Sequence, residues 1–148
     1  MGVFDAMNVS ASGLTAQRLR MDVASSNMAN VDTTRGIFKN GKWEPYQRKM
    51  VVLGSGESSF KTMFNKAVNK GELSGVKVNQ VINDQSPFKT VYQPDHPDAN
   101  EDGFVLLPNV DPLKEMVDLM SATRSYEANV TALNAAKGMY LKALEIGR

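Results

Sequence analysis

Asp98, Asn100, Asp102 and Gly103 place oxygen-bearing side chains at alternate positions ahead of a glycine, the spacing of the first half of a helix-loop-helix calcium loop. Such a loop ends on a bidentate glutamate, but that position is Asn109, directly after Pro108, and the residues following Gly103 read as a strand rather than a helix. An acidic surface turn is the expectation here. His96, the only histidine, stands between Asp95 and Pro97 with Asp98 beyond. One imidazole among flexible carboxylates falls short of a hydrolytic metal site, which takes several fixed ligands and a base, and of a serine triad, which needs a nucleophile beside an oriented histidine. A small metal-dependent enzyme built on Asp95, His96, Asp98 and Asp102 is one alternative, but a turn role for His96 is expected. No glycine-rich phosphate loop, nucleophile elbow or zinc spacing occurs in the sequence. The expectation is a protein with no catalytic residue, no cofactor and no metal.

Lys39, Lys42, Arg48 and Lys49 surround Trp43 and Tyr46, a basic and aromatic mixture of the kind that binds single-stranded nucleic acid. Glu44 interrupts it, and the whole chain balances 17 basic against 16 acidic groups for a net charge of +1. Without a broad positive field, nucleic acid is not an expected partner, and the patch suits an acidic face of a neighbouring protein better. The absence of cysteine removes thiol catalysis, disulfides and cysteine-ligated zinc, and suits a chain that crosses redox compartments.

The elements that position these groups divide the chain into ends and middle. Phe4, Met7, Ala11, Leu14, Met21 and Met28 recur at three-and-four spacings, interrupted by Arg18 and Ser25, and predict a first helix from near Met1 to about Asn30. Leu113, Met116, Met120, Tyr126, Val130, Leu133, Ala136, Tyr140 and Leu144 predict a long closing helix, which Asp111 can cap and Pro112 can start. Acidic Asp111, Glu115 and Asp118 near its start and basic Lys137, Lys142 and Arg148 in its later half follow the order the helix dipole favours. A single helix cannot bury its own apolar side, so each stripe needs the other or a helix of another chain. The first helix is rich in poor helix formers such as Asn8, Ser10, Gly13 and Ser25, and alone in water it should be largely disordered. Its small residues Ala11, Ser12, Gly13, Ala16, Ala24, Ser25 and Ala29 allow close backbone approach, as in a crowd of helices around one axis or in a two-helix hairpin.

Five of the six prolines, Pro45, Pro87, Pro94, Pro97 and Pro108, fall between residues 31 and 110 and exclude long helices there. Tyr46 to Leu53 and Gly75 to Ile82 carry the strongest strand patterns, with Phe88 to Tyr92 and Phe104 to Leu107 as shorter ones. Gly54 to Ser59 reads as a loop, and Phe60 to Val68 fits a short helix or a strand equally. The fold class is α+β, with terminal helices and a β-rich insertion. Apolar runs such as Phe104 to Pro108 are far shorter than a bilayer span, so no direct membrane insertion is expected. Asp5, Asn8, Ser10 and Ser12 also break the run a cleaved secretory signal would need.

The segment SSNMANVDTT, Ser25 to Thr34, resembles the amino-terminal signature of the bacterial flagellar axial proteins, the family of rod, hook and hook-associated subunits, through Ser26, Asn27, Ala29, Asn30 and Thr33. LTAQRLRMDV, Leu14 to Val23, fits the same family. Ser86 to Pro112 and Glu115 to Lys137 resemble its proximal rod branch, the FlgC-type proteins of the basal body, while Gly36 to Lys70 carries the least family character. The resemblance implies a structural, non-enzymatic subunit of the flagellar basal body in the cell envelope. It implies partners among other rod proteins and its own copies in a helical assembly, and export by the flagellar type III apparatus without a cleaved signal. It also implies that residues 1–30 and 111–148 pack as a coiled-coil-like inner domain around the export channel, with residues 31–110 as an outer β-rich domain. Subunit packing is then expected at Phe4, Met7, Leu14, Met21, Met28, Leu113, Met116, Met120, Tyr126, Val130, Leu133, Tyr140 and Leu144. A helical adaptor or chaperone-like binder of one partner is the competing reading.

Overall fold

A computed structural model of the chain describes residues 3–39, 41–55, 64 and 75–146. Two helices carry about half of them: α1, Val3–Ala29, and α2, Pro112–Ile146. Between them lie three separate antiparallel hairpins rather than one sheet: β1 (Ile37–Lys39) with β2 (Lys42–Glu44), β3 (Lys49–Ser55) with β4 (Val76–Asn83), and β5 (Lys89–Tyr92) with β6 (Phe104–Leu107). The α+β mix and the four longer strands follow the sequence reading within a few residues. The β3 strand begins later than Tyr46 and runs on through Gly54 and Ser55, which had read as loop. The β1–β2 hairpin was not foreseen, because three-residue strands are too short to show a period. The unassigned stretch Phe60 to Val68 lies, apart from Phe64, outside the described residues.

Local chemistry sets the helix ends. The Asp111 carboxylate accepts from the amide of Leu113 at 3.1 Å, so α2 is capped where the sequence placed it. At the other boundary the Asn30 side-chain amide donates to the Ser26 carbonyl at 2.8 Å and occupies one of the carbonyls left open at the end of α1. Asn30 also receives the Thr33 hydroxyl at 3.2 Å, and the Thr33 carbonyl takes the Tyr46 amide at 3.0 Å. The chain leaving α1 is thus tied directly to the approach to β3.

The helices run antiparallel and meet through small residues. Partners move in opposite directions along the two chains: Asn27 meets Glu115, Arg20 faces Asp118, the Thr123 hydroxyl reaches the Met21 sulfur, Gly13 abuts Asn129, and Phe4 lies edge-on to Tyr140 at 5.4 Å. A Cβ on Gly13 would stand 3.1 Å from the Asn129 amide, so this glycine sets how closely the backbones approach. Ala16 and Ala24 of α1 and Ala122 and Ala136 of α2 are buried along the same seam. On α2 the burial repeats every seven residues, at Glu115, Ala122, Asn129 and Ala136, with Asn129 partly exposed. Val105, Pro108 and Val110 are also buried, where β6 leads into α2, as is Pro45 ahead of β3.

Ala122 is fully buried, so Ala122→Leu must force the helices apart. A loss of about 1–3 kcal/mol is expected in urea unfolding followed by circular dichroism. Ala132→Leu, on an exposed side of α2, should change stability by less than about 0.5 kcal/mol.

Candidate functional site

Asn27, on the last turns of α1, is 1% exposed and uses its whole side chain to join three parts of the fold. Its amide nitrogen donates to the Lys49 carbonyl and to the Glu115 carboxylate, each at 2.9 Å. Its amide oxygen accepts from the Lys49 amide at 2.9 Å and from the Tyr46 hydroxyl at 3.0 Å. Asn27 therefore pairs with the first residue of β3 as a neighbouring strand would, while holding α2 through Glu115. Two donors and two acceptor sites are all an amide offers, and all four are used.

Arg48 completes the joint. Its Nε donates to Glu115 at 2.6 Å, one further nitrogen lies 3.4 Å from Asp84 at the end of β4, and the other lies 3.6 Å from Asp118. Its backbone amide donates to the Asn109 side chain at 2.8 Å, and Asn109 donates in turn to the carbonyls of Asp84 and Ser86. Burial works against the Arg48 charge, yet the hydrogen bond and charge of Glu115, then those of Asp84, outweigh it and hold the guanidinium above its ordinary range. The Ser86 hydroxyl and amide, joined by Arg48, hold the Asp84 carboxyl below its own. Every buried side-chain nitrogen and oxygen among the described residues has a partner. The arrangement joins α1, β3, β4 and α2; it places no nucleophile beside a base.

The other chemically suggestive groups go to turns and ties. Asp98, expected in an acidic turn, receives the Thr34 hydroxyl at 2.8 Å and Arg35 Nε at 2.7 Å, which hold its carboxyl below its ordinary range, Arg35 first. His96 Nδ1 accepts the Asp98 amide at 3.0 Å, the turn role read from the sequence. Gly103, with φ at 79°, closes the turn before β6, where the Asn100 backbone amide donates to the Phe104 carbonyl and the Asn100 carbonyl accepts from the Gly103 amide. Among the described residues no group of three or more metal-ligating side chains converges. The basic cluster does not form a single face. Arg48 is buried in the joint, Lys39 pairs with Glu44 at 3.5 Å, and Lys49 lies over the Tyr46 ring at 5.7 Å.

The expected packing residues divide by exposure. Phe4, Leu113, Met116, Met120, Tyr140 and Leu144 are exposed, and Met7, Leu14, Met21, Met28, Tyr126, Val130 and Leu133 are half-buried. None is fully buried. Val117, Met139, Leu141 and Ile146 of α2 are exposed too and were missed because they lie off the chosen stripe. Of the signature residues, Asn27 and Asn30 bond as described, Ser26 lies 3.5 Å from the Tyr46 hydroxyl, Thr33 bonds Asn30, and Ala29 is exposed. The joint itself escaped sequence reading: Arg48 was counted with the surface cations and Glu115 with the helix dipole, and only the Asn27 signature pointed toward it.

Residues 7–36 match a family model described as "Flagella basal body rod protein", and residues 101–146 match one described as "Flagellar basal body rod FlgEFG protein C-terminal". The chain is 60% identical over 152 aligned residues to the flagellar basal-body rod protein FlgC of Bacillus subtilis, covering 100% of both chains. It is 42% identical to the FlgC of Borreliella burgdorferi, covering 99% of this chain and 98% of that one. The FlgC of Escherichia coli O157:H7 is also 42% identical, with 100% of both chains covered.

Arg48→Met strands the buried Glu115 carboxylate and is expected to destabilise the chain by about 3–5 kcal/mol in urea unfolding, whereas Arg48→Met with Glu115→Met recovers most of that loss. Asp84 and Asp98 are both held below their ordinary range, so their contribution is complete above that range and drains away as pH falls through their folded values. An acid titration of stability should therefore fall from about pH 5 downward. Asp98→Asn should lower stability near neutrality and flatten that fall.

Proposed function

This chain belongs to the FlgC family of flagellar basal-body rod proteins and is a structural subunit rather than an enzyme, and from that premise we propose that it builds the rod by burying the large apolar side chains of its helices against neighbouring subunits. The row of large apolar residues left open on α2, together with Phe4 of α1, carries this reading. Small residues fill the seam within the chain, so the larger ones remain for contacts between chains.

In this reading residues 1–30 and 111–148 form the inner domain, packed in a coiled-coil-like manner around the central channel, and residues 31–110 form the outer domain. The seven-residue recurrence on α2 supports such packing. Contacts that repeat without closing on themselves generate a tube. The subunit is exported through the flagellar type III apparatus without a cleaved signal and completes its order on assembly. A core made mostly of buried alanines, with little apolar area removed from water, supports coupling of order to assembly. Torque passes through many parallel helix contacts, braced by the hairpins. No described helix is long and apolar enough to cross a membrane. The competing adaptor reading would produce a closed dimer or heterodimer, and family membership sets it aside.

Met120 is 54% exposed, so Met120→Asp should leave the monomer's expression and circular dichroism unchanged. Its incorporation into rods should drop by roughly a hundredfold or more, because an unpaired charge buried on assembly costs about 3–5 kcal/mol. Quantitation of the subunit in purified basal bodies checks this, and normal incorporation with normal motility would refute it. Leu133→Asp and Met21→Asp, on half-buried positions, should also lose incorporation while synthesis continues.

A further inference from the structure

Arg18 and Asp22 of α1 and Arg124 and Glu127 of α2 are exposed, and their side chains enter no hydrogen bond or ion pair among the described residues. Each belongs to a regular stripe. From Phe4, alternating steps of four and three residues lead through Arg18 and Asp22 to Ala29, and every position on the way is exposed. From Leu113 the same alternation leads through Met120, Arg124 and Glu127 to Leu141, again exposed throughout. Steps of this kind keep to one side of a helix. In both helices that side lies opposite the seam within the chain, whose buried residues are Ala16, Ala24 and Asn27 on α1 and Glu115, Ala122 and Ala136 on α2. Beside the α1 stripe opens a groove of about 520 Å³, walled by Leu19 of α1 and by Val76 and Val78 of β4.

We infer that the outer stripe of α2 in one copy packs antiparallel on the outer stripe of α1 in the next copy, with Glu127 against Arg18 and Arg124 against Asp22. This rests on the rod-subunit reading and deepens it by giving the register of one repeating contact. Charge order selects the direction. On each helix the arginine precedes the acid, so antiparallel helices bring unlike charges together, whereas parallel ones set Arg18 on Arg124 and Asp22 on Glu127. Side-chain size independently supports the same register. Val117 and Met120 fall opposite Ala29 and Ser25, large against small, and Leu141 falls opposite Phe4. The small, exposed Ala128 and Ala132 flank Glu127 on the side turned to the groove, where they seat against Val76 and Val78. Pairing of like stripes would also match the charges, but it sets Met120 on Thr131 and Val117 on Asn134 for α2, leaves small and polar residues in contact for α1, and closes at two copies. The contact of α2 with α1 is head-to-tail and propagates. Within one chain Phe4 meets Tyr140 and Gly13 abuts Asn129, a register only a few residues from the one between copies. Successive copies therefore stand side by side with a small axial rise, as a helical tube requires.

The chain contains no cysteine, so introduced cysteines report without background. Full-length Arg18→Cys with Glu127→Cys is expressed in cells and its basal bodies are treated with a short bismaleimide. A ladder of covalently linked copies is expected, since the two positions lie on opposite outer faces of one chain and a link within it does not compete. Neither Arg18→Cys alone nor Glu127→Cys alone should link, and a dimer from either reveals pairing of like stripes and overturns the inference. As a second arm, Arg18→Glu should reduce incorporation roughly tenfold by opposing Glu127, and Glu127→Arg in the same chain should restore it, which a mere folding defect would not allow. Unchanged incorporation of Arg18→Glu, a loss that Glu127→Arg fails to restore, or rods that contain the double-cysteine chain but give no ladder overturn this contact while leaving the rod reading in place. Absence of the unmodified chain from basal bodies overturns the rod reading itself.

Discussion

The buried joint of Asn27, Arg48 and Glu115 is the constraint on which the rest of the fold depends. Residues 88 apart in sequence, Asn27 and Glu115, share one hydrogen bond and thereby fix the antiparallel register of the helices at one end. The same two side chains hold the start of β3 through Lys49 and Arg48, and Arg48 reaches on to β4 through Asp84. A polar joint of this kind adds little net stability compared with a well-packed apolar one, but it tolerates only one arrangement, because each misplacement leaves a buried charge or amide unpaired. It determines how the hairpins leave the helices.

With register fixed at that end, the helices close over small residues. Gly13, Ala16, Ala24, Ala122 and Ala136 allow close approach at the expense of apolar area, so the seam specifies geometry more than it supplies stability. The residues with most to gain from leaving water, such as Leu113, Met120 and Leu144, stay outside it. A subunit with this division is precise in shape and incomplete in burial, which suits the packing against neighbours proposed for it. The apolar surface is the same property seen from the solvent side of the seam.

Much of the secondary structure was legible. The ends of both helices, the Asp111 cap and four strands followed from spacing, capping chemistry and the confinement of proline to the middle. The signature around Asn27 marked the right segment without showing its task. The faces were less legible. The large apolar stripe drew attention as the natural helix contact, but the closest contact within the chain uses the small face, since two backbones can approach most closely where side chains are least bulky. Arg48 read as one cation among four because charge in a sequence carries no sign of burial.

Sequence alone determined the α+β class, the long terminal helices, the absence of thiol chemistry and, by resemblance, the family. These depend on neighbouring residues, where backbone preference and apolar period act over a few positions. Tertiary structure alone decided that Asn27 bonds the backbone of Lys49, that Glu115 and Arg48 share a buried ion pair, and that three hairpins form instead of one sheet. Those outcomes depend on which distant groups satisfy one another once water is excluded, and no local pattern records that choice.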